Sequence, residues 1–556
     1  MVKKLLSCAM VLGALCASEN LVAQSNLPFE VHGNFQLDAQ YYLKDSLIGA
    51  PDVPEQILSN GFGNLIVSRD RFSAGIRYES YLNPMLGFDP RYKGSGITHR
   101  FATYQVEDLE ITLGNFYEQF GSGLLLRSYE ERSLGIDNAF DGLRVRYTPA
   151  EGIQLKALIG EQRFFFEKGP GIVRGFDAEV SLSEAIASMA NYKTKIIIGT
   201  SAVSKYQKAD DPLYKIPESV LALAGRTTIN RGGFRFYGEY AFKSMDPSFD
   251  NSSSDYPSGI YKNGQAIYSN LAYTKKGLGA SVSLKHIDNM SFRSDRNASL
   301  TILNINYLPS ISKQQTYRLA TLYPYAAQSR GEAGISAEVF YNFKKDSPLG
   351  GKTGTYVAFN YSKATGLDTT VLKGDGIGYR TDIGQTWSDL IGGGSKRRYF
   401  EELSIELQKK ISSDLKITVT GIYTVLDQNV MKTGKEIVSA YTNVFEAQYK
   451  ISKKHSIRTE LQHVYSEQDR GNWALAMIEY SISPNWFFSF FDEYNYGNDD
   501  ASKRFHYPNI SFAFTKGSNR ISMGYGKQRE GLLCVGGVCR NVPASNGVSF
   551  SVTSSF

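Results

Sequence analysis

Apolar and polar residues alternate with a period of two along most of this chain, in runs that reach about ten residues. Phe234, Phe236, Gly238, Tyr240 and Phe242 interleave with Arg235, Tyr237, Glu239, Ala241 and Lys243. Leu415, Ile417, Val419, Gly421 and Tyr423 interleave with Lys416, Thr418, Thr420, Ile422 and Thr424. Successive strand side chains point to opposite faces, so each run has one apolar and one mostly polar face. The runs are longer than most strands of soluble sheets and match what a tilted strand needs to cross a hydrocarbon layer. Their connections alternate in length. Short turns fall at 516–519, 483–485, 452–454 and 412–414, and again near 308–314, 274–277, 229–233 and 148–152. Longer links lie between them at 497–504, 466–471, 428–436 and 364–396, and near 322–330, 287–298, 243–264 and 206–219. The turns at 184–193 and 345–353 are longer than the rest of their class. Short periplasmic turns alternating with longer outer loops mark a membrane barrel. The expected fold is therefore all-β: a single large antiparallel transmembrane β-barrel over 24–556, with about 26 strands and 24 also acceptable. The count is even only if 60–82 is a hairpin turning at Ser68-Arg69-Asp70-Arg71.

The N-terminus agrees with export. Lys3 and Lys4 precede an apolar stretch from Leu5 to Ala17, too short for a membrane helix, and Leu21-Val22-Ala23 supplies a small residue before Gln24. Residues 1–23 read as a signal peptide. No Pro-rich linker or charge block divides the remainder. Tyr (36), Phe (32) and Gly (52) are abundant while mean hydropathy is slightly negative, as expected when half of each strand faces lipid and half faces water. A net charge of +6 without a concentrated basic patch argues against nucleic acid as a partner. Aromatic groups at Tyr41-Tyr42, Phe164-Phe165-Phe166 and Trp486-Phe487-Phe488 sit near strand ends, where interface girdles belong.

Three local features stand out. The last strand carries Val548, Phe550, Val552 and Phe556 on one face and ends in the aromatic. This resembles the C-terminal assembly signal read by the barrel-insertion machinery of outer-membrane proteins. The second feature is Cys534-Val535-Gly536-Gly537-Val538-Cys539. Gly-Gly suits a two-residue turn with positive φ at both centres, which would set Cys534 and Cys539 opposite each other, within disulfide reach. Its apolar tip (Leu532, Leu533, Val535, Val538) at the cell surface either docks a partner, folds over the pore, or is simply a stapled loop. The third feature is the stretch from Gly114 to Asn138, which breaks the alternation. Arg127, Tyr129, Glu130, Glu131, Arg132, Asp137 and Asn138 fit either a loop folded into the lumen or a solvated outer loop.

The run from Gly114 to Gly142, together with Arg540-Asn541-Val542-Pro543 after the paired cysteines, resembles a family of outer-membrane barrels from Bacteroidota. The resemblance implies fold and location and carries no activity. Catalytic chemistry finds little support. The six histidines are scattered singly, no Ser/His grouping or GxSxG motif occurs, and Asp499-Asp500 alone are too few for calcium. The chain is expected to be a non-enzyme without cofactor or metal. Its expected place is the outer membrane, as a porin-like pore or transport channel gated by loops, with 120–138 and the Gly-rich 364–396 as candidate gates. The alternative is a barrel subunit of an envelope assembly or secretion complex. Its expected partners are membrane lipid, the insertion machinery and, at the surface loops, other envelope proteins.

Overall fold

The computed structural model describes residues 29–209, 216–247, 259–299, 301–372, 378–392 and 397–556; the expected signal peptide, 1–23, lies outside the described residues. Twenty-four strands join into one antiparallel sheet. The sheet closes on itself because the first strand, Glu30–Tyr42, pairs with the last, Ser545–Ser555, from Asn34↔Ser555 to Tyr42↔Gly547. The C-terminal residue completes this seam: Gly33 and Phe556 exchange backbone hydrogen bonds of 2.9 and 3.0 Å. The hairpin at 60–82 is present as strands Ile57–Arg69 and Phe72–Asn83, turning through Asp70, whose φ is +51°.

The strand count settles at 24 because one expected hairpin is not in the wall. A short turn expected near 308–314, between longer links at 287–298 and 322–330, implied two further strands between 299 and 322. The chain instead leaves strand Leu278–Asp288 and rejoins the sheet only at Gly331–Phe343, which pairs directly with it. Loop parity survives, since a pair of strands was removed. Turns such as 232–233, 276–277 and 517–518 share one end of the barrel with both termini of the wall, and the longer connections share the other.

The alternation is oriented inside out relative to a soluble barrel. In strand Ser219–Arg231, Leu221 and Leu223 are exposed outside while Val220, Ala222, Ala224 and Arg226 are buried inside. In Arg398–Lys410, Ile405 and Leu407 face out while Glu402, Ser404 and Glu406 face in. Phe445, Leu461, Ile478, Phe490, Ile510 and Phe512 continue the exposed apolar belt. A soluble protein does not carry so large an apolar surface, whereas a closed barrel with every backbone group paired is one of two architectures that tolerate lipid. Trp486 and Phe514 pack at 4.7 Å at the turn end of this belt. The Phe164-Phe165-Phe166 group is not a girdle: Phe165 and Phe166 pack into a small loop-end core with Phe62, Tyr81 and Tyr92, because the hairpin Glu167↔Phe164 folds over the link 84–93.

Candidate functional site

The barrel is filled by its own chain. Strand Leu109–Phe116 has only 8 residues, so the polypeptide leaves the wall part-way up and the segment 117–139 enters the lumen before Phe140–Ala150 resumes the sheet. Phe120, Leu124, Leu125 and Leu126 are fully buried there. They pack against the inward small and branched residues of the wall, including Leu158, Val173, Val203, Val220, Ala222, Ala241, Ala266 and Ile287. Gly175 makes the approach possible: a Cβ at this position would stand 2.8 Å from the Phe120 ring. Polar anchors flank this apolar contact. The backbone N–H and hydroxyl of Ser122 donate to Glu239 at 2.9 and 2.5 Å. Glu118 accepts from Arg146 at 2.9 Å and Lys156 at 3.2 Å. Burial pushes the Glu118 carboxyl up, but Arg146 and Lys156 outweigh it and hold the group below the usual value.

At its return the segment is fixed by a buried ion network. Asp137 accepts from Arg163 at 2.6 Å, Arg77 at 2.8 Å and the Tyr117 hydroxyl at 2.9 Å. Arg163 and Arg77 share Glu79, at 2.6 and 3.1 Å. Arg77 also meets Glu130 at 2.7 Å, which in turn holds Arg132 at 2.7 Å. Three guanidiniums thus face three carboxylates, and Arg77, Arg163, Glu79 and Asp137 are nearly inaccessible to solvent. Burial raises the Asp137 carboxyl, yet Arg163 and Arg77 bring it below its ordinary value.

The second inward segment comprises 289–299 and 301–330, the stretch whose link lengths read as holding two wall strands. Its first part lies beside the first loop: Arg127 N donates to Ile305 O at 2.8 Å and Tyr307 N to Gly123 O at 2.9 Å. The amide of Asn138 donates to Asn304 O at 2.9 Å, and the Arg127 guanidinium lies over the rings of Tyr307 and Tyr129 at 4.1 and 5.0 Å. Its later part crosses to the opposite wall, where Ile311, Leu319, Tyr323 and Tyr325 pack with Phe400, Leu426, Val438, Val464, Trp473 and Leu475. Arg318 reaches Glu493 at 2.5 Å and Gln315 reaches Glu402 at 2.8 Å. Tyr325 and Lys285 both contact Glu332.

Above this segment lies the hairpin Gly531–Val535 and Val538–Val542. Cys534 and Cys539 are directly opposed and disulfide-bonded, with Cα atoms 4.1 Å apart, and Gly536 and Gly537 turn with φ of +58° and +81°. Its tip points inward. The Tyr307 hydroxyl donates to Gly536 O, Ala327 N donates to Gly537 O at 3.1 Å, and Gln314 donates to Cys534 O at 2.9 Å. Arg540 lies over Phe88 at 4.2 Å. Leu532, Val535 and Val538 are only half-exposed, and Leu533 is the one apolar side chain of the group that is exposed. Between this cap, the two inward segments and the outer links sits a cavity of about 1040 Å³. It is lined by Tyr129, Asn138, Asn306, Tyr323, Tyr399, Arg470 and Arg529, among others.

The residues singled out in the sequence are thus divided among distinct tasks. Arg127, Tyr129 and Asn138 join the two inward segments. Glu130, Arg132 and Asp137 tie the first to the wall, with Arg132 also donating to Gln36 at 2.8 Å. Glu131 accepts from Ser133 within its own turn. Phe550, Val552 and Phe556 line the closing seam. The Gly-rich 364–396 is not a second plug: its described part forms a hairpin and the helix Ile383–Ile391, contributing Leu367, Thr369 and Tyr379 to the cavity wall. Glu118, Arg77, Glu79, Arg163 and the described residues of 289–330 are site elements that no sequence signal marks. Among the described residues no group of three or more His, Cys, Asp or Glu side chains is placed to hold a metal ion.

A family model described as "Family of unknown function (DUF6029)" matches residues 1–556. No curated protein matches the chain. Solved structures similar to it include the copper transporter OprC, at 11% identity and TM-score 0.39, covering 95% of this chain and 80% of that one. A mutant of the ferric enterobactin receptor PfeA from Pseudomonas aeruginosa gives 11% and 0.41, with the same coverage. Acinetobacter baumannii OccAB3 gives 9% and 0.35, covering 95% and 99%. These scores are too low to carry an argument about function, which rests on the lumen itself.

Proposed function

The chain belongs along its whole length to a family of unknown function, DUF6029, and we propose that it is a non-catalytic outer-membrane transport channel closed by its own inward segments. The observation that carries this reading is the 1040 Å³ cavity on the loop side of the plug. A solute arriving from outside meets aromatic, amide and guanidinium groups in a recess bounded by the segments that must move for it to pass. Both segments are tethered to the wall at each end; between those ends they are held to it by side-chain hydrogen bonds, ion pairs and apolar packing, and to each other and the stapled hairpin by a few backbone hydrogen bonds, so they can be displaced without breaking the wall. In this reading the signal peptide routes the chain for export, and the closing strand with Phe550, Val552 and Phe556 is presented to the insertion machinery.

Planar-bilayer recording tests the proposal. The intact protein should show low or intermittent conductance, and a variant with both 120–138 and 290–329 replaced by short Gly-Ser linkers should show a persistently open state. A silent linker variant that still inserts would refute it. The filled lumen also favours a second reading, in which a sealed barrel holds an envelope protein at its outer loops. Stoichiometric co-purification with such a protein, together with silence of both forms, would establish that reading instead.

A further inference from the structure

Outside the barrel, at its turn end, the lipid-facing wall is not smooth. The connection 344–354 is longer than the neighbouring turns and folds back on itself. Asp346 N donates to Gly351 O at 2.7 Å, Gly351 N to Ser347 O at 2.9 Å, and the Ser347 hydroxyl to Lys344 O at 2.7 Å. Gly350 is required at the crossing, since a Cβ there would stand 1.8 Å from Lys344 O. Lys409 pins the turn to the wall by donating to Thr355 Oγ1 at 2.9 Å and Gly350 O at 3.3 Å. This fixed overhang carries Leu349, 66% exposed. Together with Val339, Tyr341, Phe343, Val357 and Leu407 of the wall, Leu349 encloses an apolar recess of about 370 Å³.

The rim of the recess is basic. Lys344, Lys345, Lys352 and Lys410 are exposed, as are Lys275 and Lys276 on the next turn. The carboxylates on these turns are Asp346 and, one turn further, Asp414. None of these six lysines takes part in an ion pair among the described residues. Crowded, unpaired cations beside an apolar trough are complementary to a molecule with an anionic head and a hydrocarbon tail.

We propose that this recess is a binding site for an anionic diacyl phospholipid of the leaflet at the turn end. One acyl chain lies along Val339, Tyr341, Val357 and Leu407 beneath Leu349, and the phosphate lies among Lys344, Lys345, Lys352 and Lys410. The proposal rests on the membrane-spanning reading of the barrel. It names one lipid-facing position where the wall is shaped to retain a lipid instead of merely contacting solvent chains.

The test is native mass spectrometry of the full-length barrel released from detergent. Dioleoylphosphatidylglycerol is compared with dioleoylphosphatidylcholine, which has the same chains and no net charge. The wild type should retain the anionic lipid over the zwitterionic one by about tenfold or more. The triple variant Lys344→Gln, Lys345→Gln, Lys352→Gln should lose that preference, and Leu349→Ser should weaken retention of both lipids. A control triple, Lys450→Gln, Lys453→Gln, Lys454→Gln, removes equal charge from a turn without a recess and should leave the preference intact. Equal retention of the two lipids by the wild type, or equal loss in both triple variants, would overturn the proposal. Vesicle flotation of the wild type separates the two failures: a barrel that inserts but shows no preference refutes only the lipid site, and one that does not insert refutes the membrane reading beneath it.

Discussion

Asp137→Asn removes one negative charge from a buried set in which three carboxylates balance three guanidiniums, while keeping nearly the same shape. The amide retains an acceptor for Ala139 N, now 3.1 Å from Asp137 Oδ1. Arg77 and Arg163 are then left, at about 4% side-chain exposure, with Glu79 as their shared strong partner. Breaking a buried pair by removing one member costs about 3–5 kcal/mol. Because both guanidiniums keep Glu79, the lower end applies, about 3 kcal/mol, or about a hundredfold in the docking equilibrium of the loop. The apolar anchor opposes release: Phe120, Leu124, Leu125 and Leu126 are fully buried, at about 1.5–3 kcal/mol each. The loop should therefore remain docked most of the time, opening about a hundredfold more often. Hydrogen–deuterium exchange is the suited assay. Amides bonded between the inward segments, such as Arg127 and Tyr307, should exchange about a hundredfold faster, while wall amides near Leu223 stay unchanged. Exchange at Arg127 and Tyr307 within a factor of about two of the wild type would refute the claim that charge balance holds the loop.

Acid should act in the same direction. Glu118 and Asp137 lie below their ordinary values in the folded protein, so each stabilises docking above its unfolded value and loses that contribution as pH falls through the depressed one. Exchange of 117–139 should accelerate only below the usual carboxylate range, and a single onset near neutrality would contradict this. Cys534→Ser with Cys539→Ser removes a six-residue closed loop, worth roughly 2 kcal/mol by chain entropy. Limited proteolysis should then cut within 531–542 while the wall's thermal transition is unmoved. On the outer wall, Leu223→Arg should cost about 2–4 kcal/mol in vesicles near the bilayer midplane; Gln408→Arg, at a half-buried position on the inward face, should cost clearly less when both are read by urea titration.

The wall was legible in the sequence because its two faces meet different media. Lipid outside and polar groups inside enforce alternation, so the hairpin at Asp70 and the loop parity could be read directly. The segment 289–330 deceived the same test for a physical reason. Ile305 and Ile311 are buried by wall side chains while the intervening Asn306 bonds to Met290 O and Leu124 O at 2.8 and 3.3 Å. A strip packed on one side and hydrogen-bonded on the other alternates like a strand without being one. The inward loop was marked by its broken pattern, but its partners were not. Arg77 and Arg163 sit on strands 60 and 26 residues from Asp137, and an isolated arginine on a polar strand face gives no sign of what it will meet.

The seam between Glu30–Tyr42 and Ser545–Ser555 has a consequence for biogenesis. The two strands that complete the cylinder are the ones furthest apart along the chain, so both stay open-edged until every other strand is in place. An open edge is a template for any strand that comes near it, and pairing over so great a sequence separation is intrinsically slow. While the seam is open the inward segments can enter from the side of the curling sheet, whereas once it locks they can enter only through the mouth. The unpaired seam thus gives the filling of the lumen a second route that the closed wall lacks.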